Sequence, residues 1–511
     1  MHEMNGATVV RLACLSVLAG AACSASGGKN AKDAMNAGSG GGPAGSGGSG
    51  GSGAGRGSGG SSSGGLAGRA GLVVSSPSGY WQTGEQWTEV TGTADVTVND
   101  GSPAQDWEGF GGAFNENGWV ALSALSDADR DLAMKLLFAD DGARFVLGRI
   151  PMGASDYAVD RYTEDETAGD TAMLHFSIDR DMQRLIPFVK AALAIRPDIR
   201  FWASPWTPPT WMKNGMKAGS QPSPFDGGSM VDNQANLNAY SQYFIKFIQA
   251  YQQQGITLEF VAPQNEPSYA ENYPTCLWTA ALYAKFFGAY LGKALEDANL
   301  GTKLMLGTMS NGDDDPAIVK SVLADATAMK YVKVIGMQWG MQSHVSDAKS
   351  AGVPIWQTEH VAGNCPFGGM SNCATISSNR APNDQAYAVE SWNLIRDWIK
   401  TGITAYSAWN LVTDATGLGI DTSRVWHQDA LLTVDTQAGK LTVTPAYYVF
   451  RHFSQFVDPG AKVVGATGGD AVAFKNPDGS LIAVMYNPGS AKRLTVAMGG
   501  KNLQFDMPAS G

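Results

Sequence analysis

Two glutamates each close a short apolar run. One ends Leu258-Glu-Phe-Val-Ala-Pro-Gln-Asn-Glu266-Pro267, the other Val353-Pro-Ile-Trp-Gln-Thr-Glu359-His360. A β-type apolar run that finishes on an acid is how a barrel strand delivers a carboxylate to the catalytic face. Two such acids on different strands can flank one glycosidic bond. A carboxylic acid with a raised pKa protonates the departing oxygen, and an ionised carboxylate attacks the anomeric carbon. This chemistry would make Glu266 the acid/base and Glu359 the nucleophile of a retaining hydrolysis.

Those acids need elements to hold them. From Leu72 onward, eight apolar strand candidates alternate with longer segments of helical or mixed character: Trp107–Phe114, Arg144–Met152, Ile199–Trp206, Leu258–Asn265, Lys303–Met309, Val332–Trp339, Pro354–Thr358 and Ile403–Leu411. Asp179–Ile195 and Asn236–Gln254 have helical spacing. In the second, Tyr240, Tyr243, Phe244, Phe247, Ile248 and Tyr251 keep the three-four rhythm of one buried face. Eight alternations predict an α/β fold, a (β/α)8 TIM barrel over residues 107–444. The ends break this rhythm. Residues 72–106 hold strand-like pieces between Gly, Ser and Pro turns. Residues 445–511 add Ala461–Val464, Ala471–Lys475, Leu481–Tyr486 and Arg493–Met498, with Asn476-Pro-Asp-Gly479 as a hairpin turn. Together the two ends predict a β-sandwich side domain.

The strand ends should bring further groups to the same face. Glu116 and Asn115 follow the first strand, Arg149 and Asp156 the second, and Trp206 and Trp211 the third. Asn265 precedes Glu266, and its amide can bond a sugar 2-hydroxyl. Trp339 ends the sixth strand and Trp409 the eighth. The Arg149 charge would keep a nearby carboxylate ionised, and Trp206, Trp339 and Trp409 offer flat walls to a sugar ring. Each has a plainer reading. A Glu before Pro is an ordinary strand end, Arg149 can pair with a structural acid, Trp211 can be core, and Asp156 can cap a helix or pair with Arg149. Two glutamates on the fourth and seventh of eight strands are the feature that structure alone explains least.

The totals agree with a sugar substrate. Net charge is −11, which gives nucleic acid no basic footprint. Fourteen Trp and 16 Tyr would suit sugar stacking, although most aromatics in a chain of this size fill the core. Nothing in the sequence points to a metal or other cofactor.

The N-terminus reads as a leader. Arg11 precedes the apolar stretch Leu12–Ala22, too short to span a bilayer, which ends in Ala21-Ala-Cys23-Ser24. Residues 1–23 are expected to be a signal peptide of bacterial lipoprotein type, with Cys23 as the lipidated residue. Residues 24–71 hold 20 of the 63 glycines and have no apolar surface to bury, so they are expected to be a flexible tether. The enzyme would then be exported, as a cell-surface lipoprotein or a secreted protein, touching a membrane only through its lipid. Cys365 and Cys373 bracket a short loop after Glu359, and in an exported protein they would form a disulfide.

The chain resembles glycoside hydrolase family 30, the acid β-glucosylceramidase and β-1,6-glucanase relatives. The resemblance rests on Gly109–Phe114, Arg149-Ile-Pro-Met152 with Asp156-Tyr157, Ala203–Lys213, Gln264–Pro267, Gln357–Glu359, Trp409-Asn-Leu411 and Tyr447–Gly460. It implies a barrel fused to a β-sandwich from both chain ends, and retaining hydrolysis of a β-linked glycan or glycolipid. It also implies that Glu266 is the acid/base, that Glu359 is the nucleophile, and that Glu116, Trp206, Asn265 and Trp409 bind sugar. Two positions depart from the family. Gln338-Trp339-Gly340 stands where many relatives carry His-Trp-Tyr, whose Tyr contacts the nucleophile. Asn115-Glu116 stands where glucosylceramidases have Thr-Asp. An endo-xylanase, an endo-β-1,6-galactanase and a non-catalytic glycan-binding protein are the alternatives.

Overall fold

The eight apolar runs fold as eight parallel strands that close on themselves. A computed structural model describes residues 10–16, 71–218, 222–362, 380–423 and 426–509. The barrel strands are β1 (Gly109–Ala113), β2 (Leu147–Met152), β3 (Arg200–Pro205), β4 (Leu258–Val261), β5 (Lys303–Met309), β6 (Val332–Gln338), β7 (Ile355–Glu359) and β8 (Ala405–Asn410). They pair in sequence order, and β8 returns to β1. All eight expected strands are present, with ends shifted by a few residues. Strand β1 is glycine-rich because the barrel is tight there. A Cβ on Gly111 would lie 1.9 Å from the Leu147 carbonyl oxygen.

Helices wrap the strands and bury one stripe each. The helix Gln234–Gln253 buries the six aromatic and aliphatic residues of the three-four rhythm. The helix expected from Asp179 begins instead at Leu185, after a short 3-10 turn at Asp181–Gln183. Asp181 explains the delay. It is buried and accepts hydrogen bonds from Tyr162 at 2.8 Å and Tyr251 at 2.7 Å, which turns its backbone inward. Inside the barrel, Leu147, Trp202, Phe260, Met305, Val334 and Trp356 form the plug beneath the catalytic face.

The side domain draws on both chain ends. Gly71–Ser76, Gly79–Glu85 and Val96–Asn99 share an 11-stranded sheet with Ala461–Thr467, Ala471–Lys475, Leu481–Asn487, Lys492–Met498 and Lys501–Met507. The Asn476–Gly479 hairpin turn closes as expected, with Gly479 N donating to Asn476 O at 2.9 Å. Two boundaries differ from expectation. Pro445–Ser454, assigned from sequence to the sandwich, is a helix capped by Thr444, and its Tyr447 hydroxyl donates to Leu136 O of the barrel at 2.7 Å. Sandwich strands resume only at Ala461. Val10–Ser16, assigned to a leader outside the fold, is placed as a strand pairing in parallel with Gly71–Ser76 and Leu481–Asn487. A short apolar run satisfies a leader and a strand within a sheet equally well. Among the described residues no helix is long and apolar enough to cross a membrane.

Candidate active site

The end of β4 turns sharply. Glu266 has φ of +49°, a left-handed conformation that costs a non-glycine residue about 1–2 kcal/mol. The turn is held by Glu266 N donating to Thr308 O at 3.0 Å and Asn265 N to Pro205 O at 2.7 Å, on the neighbouring strands. It presents Asn265 and Glu266 together to a cavity at the C-terminal end of the barrel. Glu359, the last residue of β7, lines the same cavity.

Arg149 joins the two strands from below. It is buried, and its guanidinium lies 4.3 Å from the Trp206 ring and 4.9 Å from Trp202. It donates to Glu359 Oε2, to Asn265 Oδ1 at 2.5 Å and to Ser204 Oγ at 3.1 Å. A buried arginine with a carboxylate across it is a charge pair whose members ionise together. Asn265 Oδ1 also accepts from Thr308 Oγ1 at 2.9 Å and Gln338 Nε2 at 2.8 Å. With its oxygen taken three times, the Asn265 amide nitrogen remains to face the cavity.

The electrostatics separate the two acids. Burial, followed by the negative charges of Glu359 and Asp156, pushes the Glu266 carboxyl well above the usual range. Burial also raises Glu359, but there the Arg149 guanidinium opposes the rise by charge and by hydrogen bond. Tyr273 donates to Glu266 Oε2 at 3.2 Å and fixes its rotamer. One carboxyl is favoured neutral and the other is tied to a cation, the division that acid and nucleophile require.

The structure brings Glu266, Glu359, Asn265, Trp206, Trp339 and Trp409 to one cavity. Trp206 and Trp409 stack with centroids 5.5 Å apart. Arg149 sits beneath the lining rather than in it. Glu116 is not brought there. It opens the helix Glu116–Ser123, is buried, and accepts from Arg180 Nε and Nη2, both at 2.9 Å, and from Val159 N at 2.8 Å. Its carboxylate anchors the loop after β2, so the expected sugar contact from Glu116 gives way to a structural ion pair. Asp156, left open between cap and ion-pair partner, lines the cavity. Sequence reasoning missed Tyr269, Tyr273, Trp426 and Gln428, which also line it. Tyr269 N donates to Glu266 O at 3.1 Å, and its ring stacks on Trp339 with centroids 6.2 Å apart.

Strand β6 ends as the sequence departure foretold. A Cβ on Gly340 would lie 2.0 Å from Ser310 O, so the backbone after β5 occupies the room a side chain would need. Among the described residues the Glu359 carboxylate has Arg149 as its hydrogen-bond partner, and no hydroxyl takes the place of the absent Tyr. Cys23, Cys365 and Cys373 lie outside the described residues. Cys276 is a free, buried thiol pushed up to about 12 by burial. No cluster of three metal-ligating side chains occurs among the described residues.

An eight-stranded barrel with buried glutamates at the ends of β4 and β7, beside stacked indoles, has the framework of a glycoside-cleaving enzyme. Residues 107–457 match the glycosyl hydrolase family 30 TIM-barrel domain and residues 460–511 the glycosyl hydrolase family 30 beta sandwich domain. The chain belongs to glycosyl hydrolase family 30. It is 29% identical over 425 residues to putative glucosylceramidase 1 of Caenorhabditis elegans, covering 79% of this chain and 78% of that one. It is 27% identical over 444 residues to the endo-1,6-beta-D-glucanase neg1 of Aspergillus fumigatus, covering 80% and 84%. In fold it is similar to the endo-beta1,6-glucanase BT3312, with a TM-score of 0.70 at 24% identity over 83% of this chain and 94% of that one.

Proposed function

We propose that this protein is a retaining β-glycosidase of β-glucosidic linkages, with Glu266 as acid/base and Glu359 as nucleophile. The observation that carries the reading is Arg149, which ties Glu359 to Asn265 while Glu266, in the same cavity, is held toward its neutral form. In the first step Glu266 gives its proton to the glycosidic oxygen as Glu359 attacks the anomeric carbon. The C–O bond to the leaving group breaks and a glycosyl ester forms. In the second step Glu266 takes a proton from water, which attacks the same carbon and releases Glu359. The Asn265 amide would meet the sugar 2-hydroxyl, where hydrogen bonds strengthen in the transition state.

The leaving group lies on the Glu266 side, where Tyr269 and Trp339 stack. A β-1,6-glucan and a glucosylceramide-like lipid are the substrates we infer, from relatives of both kinds. Chromatography of products from glucosylceramide, β-1,6-glucan, xylan and β-1,6-galactan tests the assignment. Glucose or gluco-oligosaccharides are expected. Turnover confined to xylan or galactan, or binding without turnover on all four, would replace it with one of the alternatives. We also propose a Cys365–Cys373 disulfide, and export with lipid attachment at Cys23, whose cleavage step would remove the Val10–Ser16 strand from the mature protein. Membrane release by Cys23→Ser, and mass mapping of the two thiols, test these.

A further inference from the structure

Gln428 lies on the segment that follows β8, is buried, and lines the cavity. Its side chain is oriented by a relay of amides whose direction is fixed at the far end. Gly118 N, at a helix start, donates to Asn115 Oδ1 at 2.6 Å. That commits the Asn115 nitrogen to donate to Asn410 Oδ1 at 3.0 Å. The Asn410 nitrogen then donates to Gln428 Oε1 at 3.2 Å. Trp409 Nε1, which can only donate, reaches the same Gln428 oxygen at 2.9 Å. Both lone pairs of that oxygen are used. A flip of the Gln428 amide would set its nitrogen against an indole N–H, so the orientation is dictated rather than free.

The Gln428 NH2 is therefore the group left to the cavity, with two protons to give. Its place relative to the reacting carbon follows from the barrel. Asn265 lies on the turn that follows β4, and Gln428 is pinned to Trp409 and Asn410 at the end of β8, half a turn away among eight strands. If Asn265 meets the C2 hydroxyl, the opposite wall meets the opposite edge of the ring. A second link supports this placement. Gly417 O accepts from Gln428 N at 2.8 Å and from the Tyr157 hydroxyl at 2.5 Å, so the wall that carries Gln428 is continuous with the Asp156–Tyr157 turn.

We propose that Gln428 is a specificity-determining residue that donates to a hydroxyl on the C4–C6 edge of the glycon. It thereby selects glucose over the C4 epimer or over a pentose without the hydroxymethyl group. This rests on the glycosidase reading, but its test does not need turnover. The probes are 1-deoxynojirimycin, its galacto-configured epimer and its xylo-configured analogue, which lacks the hydroxymethyl group, with binding followed by calorimetry. A site built to bond a hydroxyl discriminates strongly against a ligand that lacks it, and one lost neutral hydrogen bond weakens binding about 10- to 100-fold.

Gln428→Met is expected to weaken the gluco probe by that factor. At least one of the other two should change by less than about threefold, so that the preference collapses. The three probes together control for collapse of the wall, which would weaken all of them alike. Equal weakening of all three probes, or no weakening of the gluco probe, would overturn the proposal. The glycosidase reading fails separately, if wild-type protein binds these probes yet hydrolyses no glycoside.

Discussion

Arg149→Met removes the one cation that the Glu359 carboxylate meets among the described residues and leaves the volume nearly filled. Breaking a buried ion pair by removing one member costs about 3–5 kcal/mol, because the other charge stays buried without a partner. Taken from the transition state, that is a loss of about 10²–10⁴ in kcat/KM at roughly 1.4 kcal/mol per decade. The pH profile distinguishes this from damage to packing. In the wild type, burial raises Glu359 and Arg149 opposes it by charge and hydrogen bond. Without Arg149 burial acts alone, so the pKa of Glu359 rises and the acid limb of kcat/KM moves to higher pH. Arg149 also lowers Glu266, so the basic limb should move the same way. The assay is kcat/KM on an aryl β-glucoside across both limbs, with urea unfolding in parallel. A uniform fall in rate with both limbs in place would refute the electrostatic role.

Glu266→Gln should lose about 10²–10⁴-fold on a poor leaving group and far less on an activated aryl glycoside, which needs no proton. An equal loss on both would make Glu266 structural. His360 and His452 are buried, and desolvation depresses each to about 3. A depressed histidine contributes stability that is complete above the unfolded value of about 6.5 and is lost as pH falls, about 2 kcal/mol each by pH 5. Asp181 and Asp429, raised by burial to about 6 and about 8, work in the opposite sense over that window. The histidine effect is therefore read as a difference. Wild type should lose about 2 kcal/mol more than His452→Gln between neutral pH and pH 5 in urea melts, and a constant difference would mean that His452 is not held neutral. Gly340→Ala should destabilise by about 1–3 kcal/mol, because the added carbon meets Ser310 O at 2.0 Å. A neutral melt would show that the backbone there yields freely.

The barrel was legible because its strands are apolar runs of ordinary length and its helices keep one stripe. The acids were legible because each stops such a run. What failed depended on partners far away in sequence. Glu116 reads the same whether it faces the cavity or an ion pair, and only Arg180, 64 residues later, decides. Gln428 and Tyr269 lie in loops without periodicity. One owes its role to an indole 19 residues earlier and the other to Trp339 on β6. Gly340 was visible as a departure, but its cause, a carbonyl of the preceding loop, is purely tertiary. The Val10–Ser16 strand shows the limit of an apolar pattern, which marks a strand-prone segment without naming the strands it pairs with.

The most direct test of the account is covalent. A 2-deoxy-2-fluoro glucoside with a good leaving group slows breakdown of the glycosyl-enzyme, so the label stays on the attacking residue. Double displacement by Glu266 and Glu359 requires a retaining geometry, with carboxyl groups about 5–5.5 Å apart rather than the roughly 6.5–9.5 Å of inverting enzymes. Peptide mapping by mass spectrometry should find one fluoroglucosyl group on Glu359, with a β-configured first product from a β-glucoside. Label on Glu266, Asp156 or Glu116, or an α-configured first product, would contradict the account.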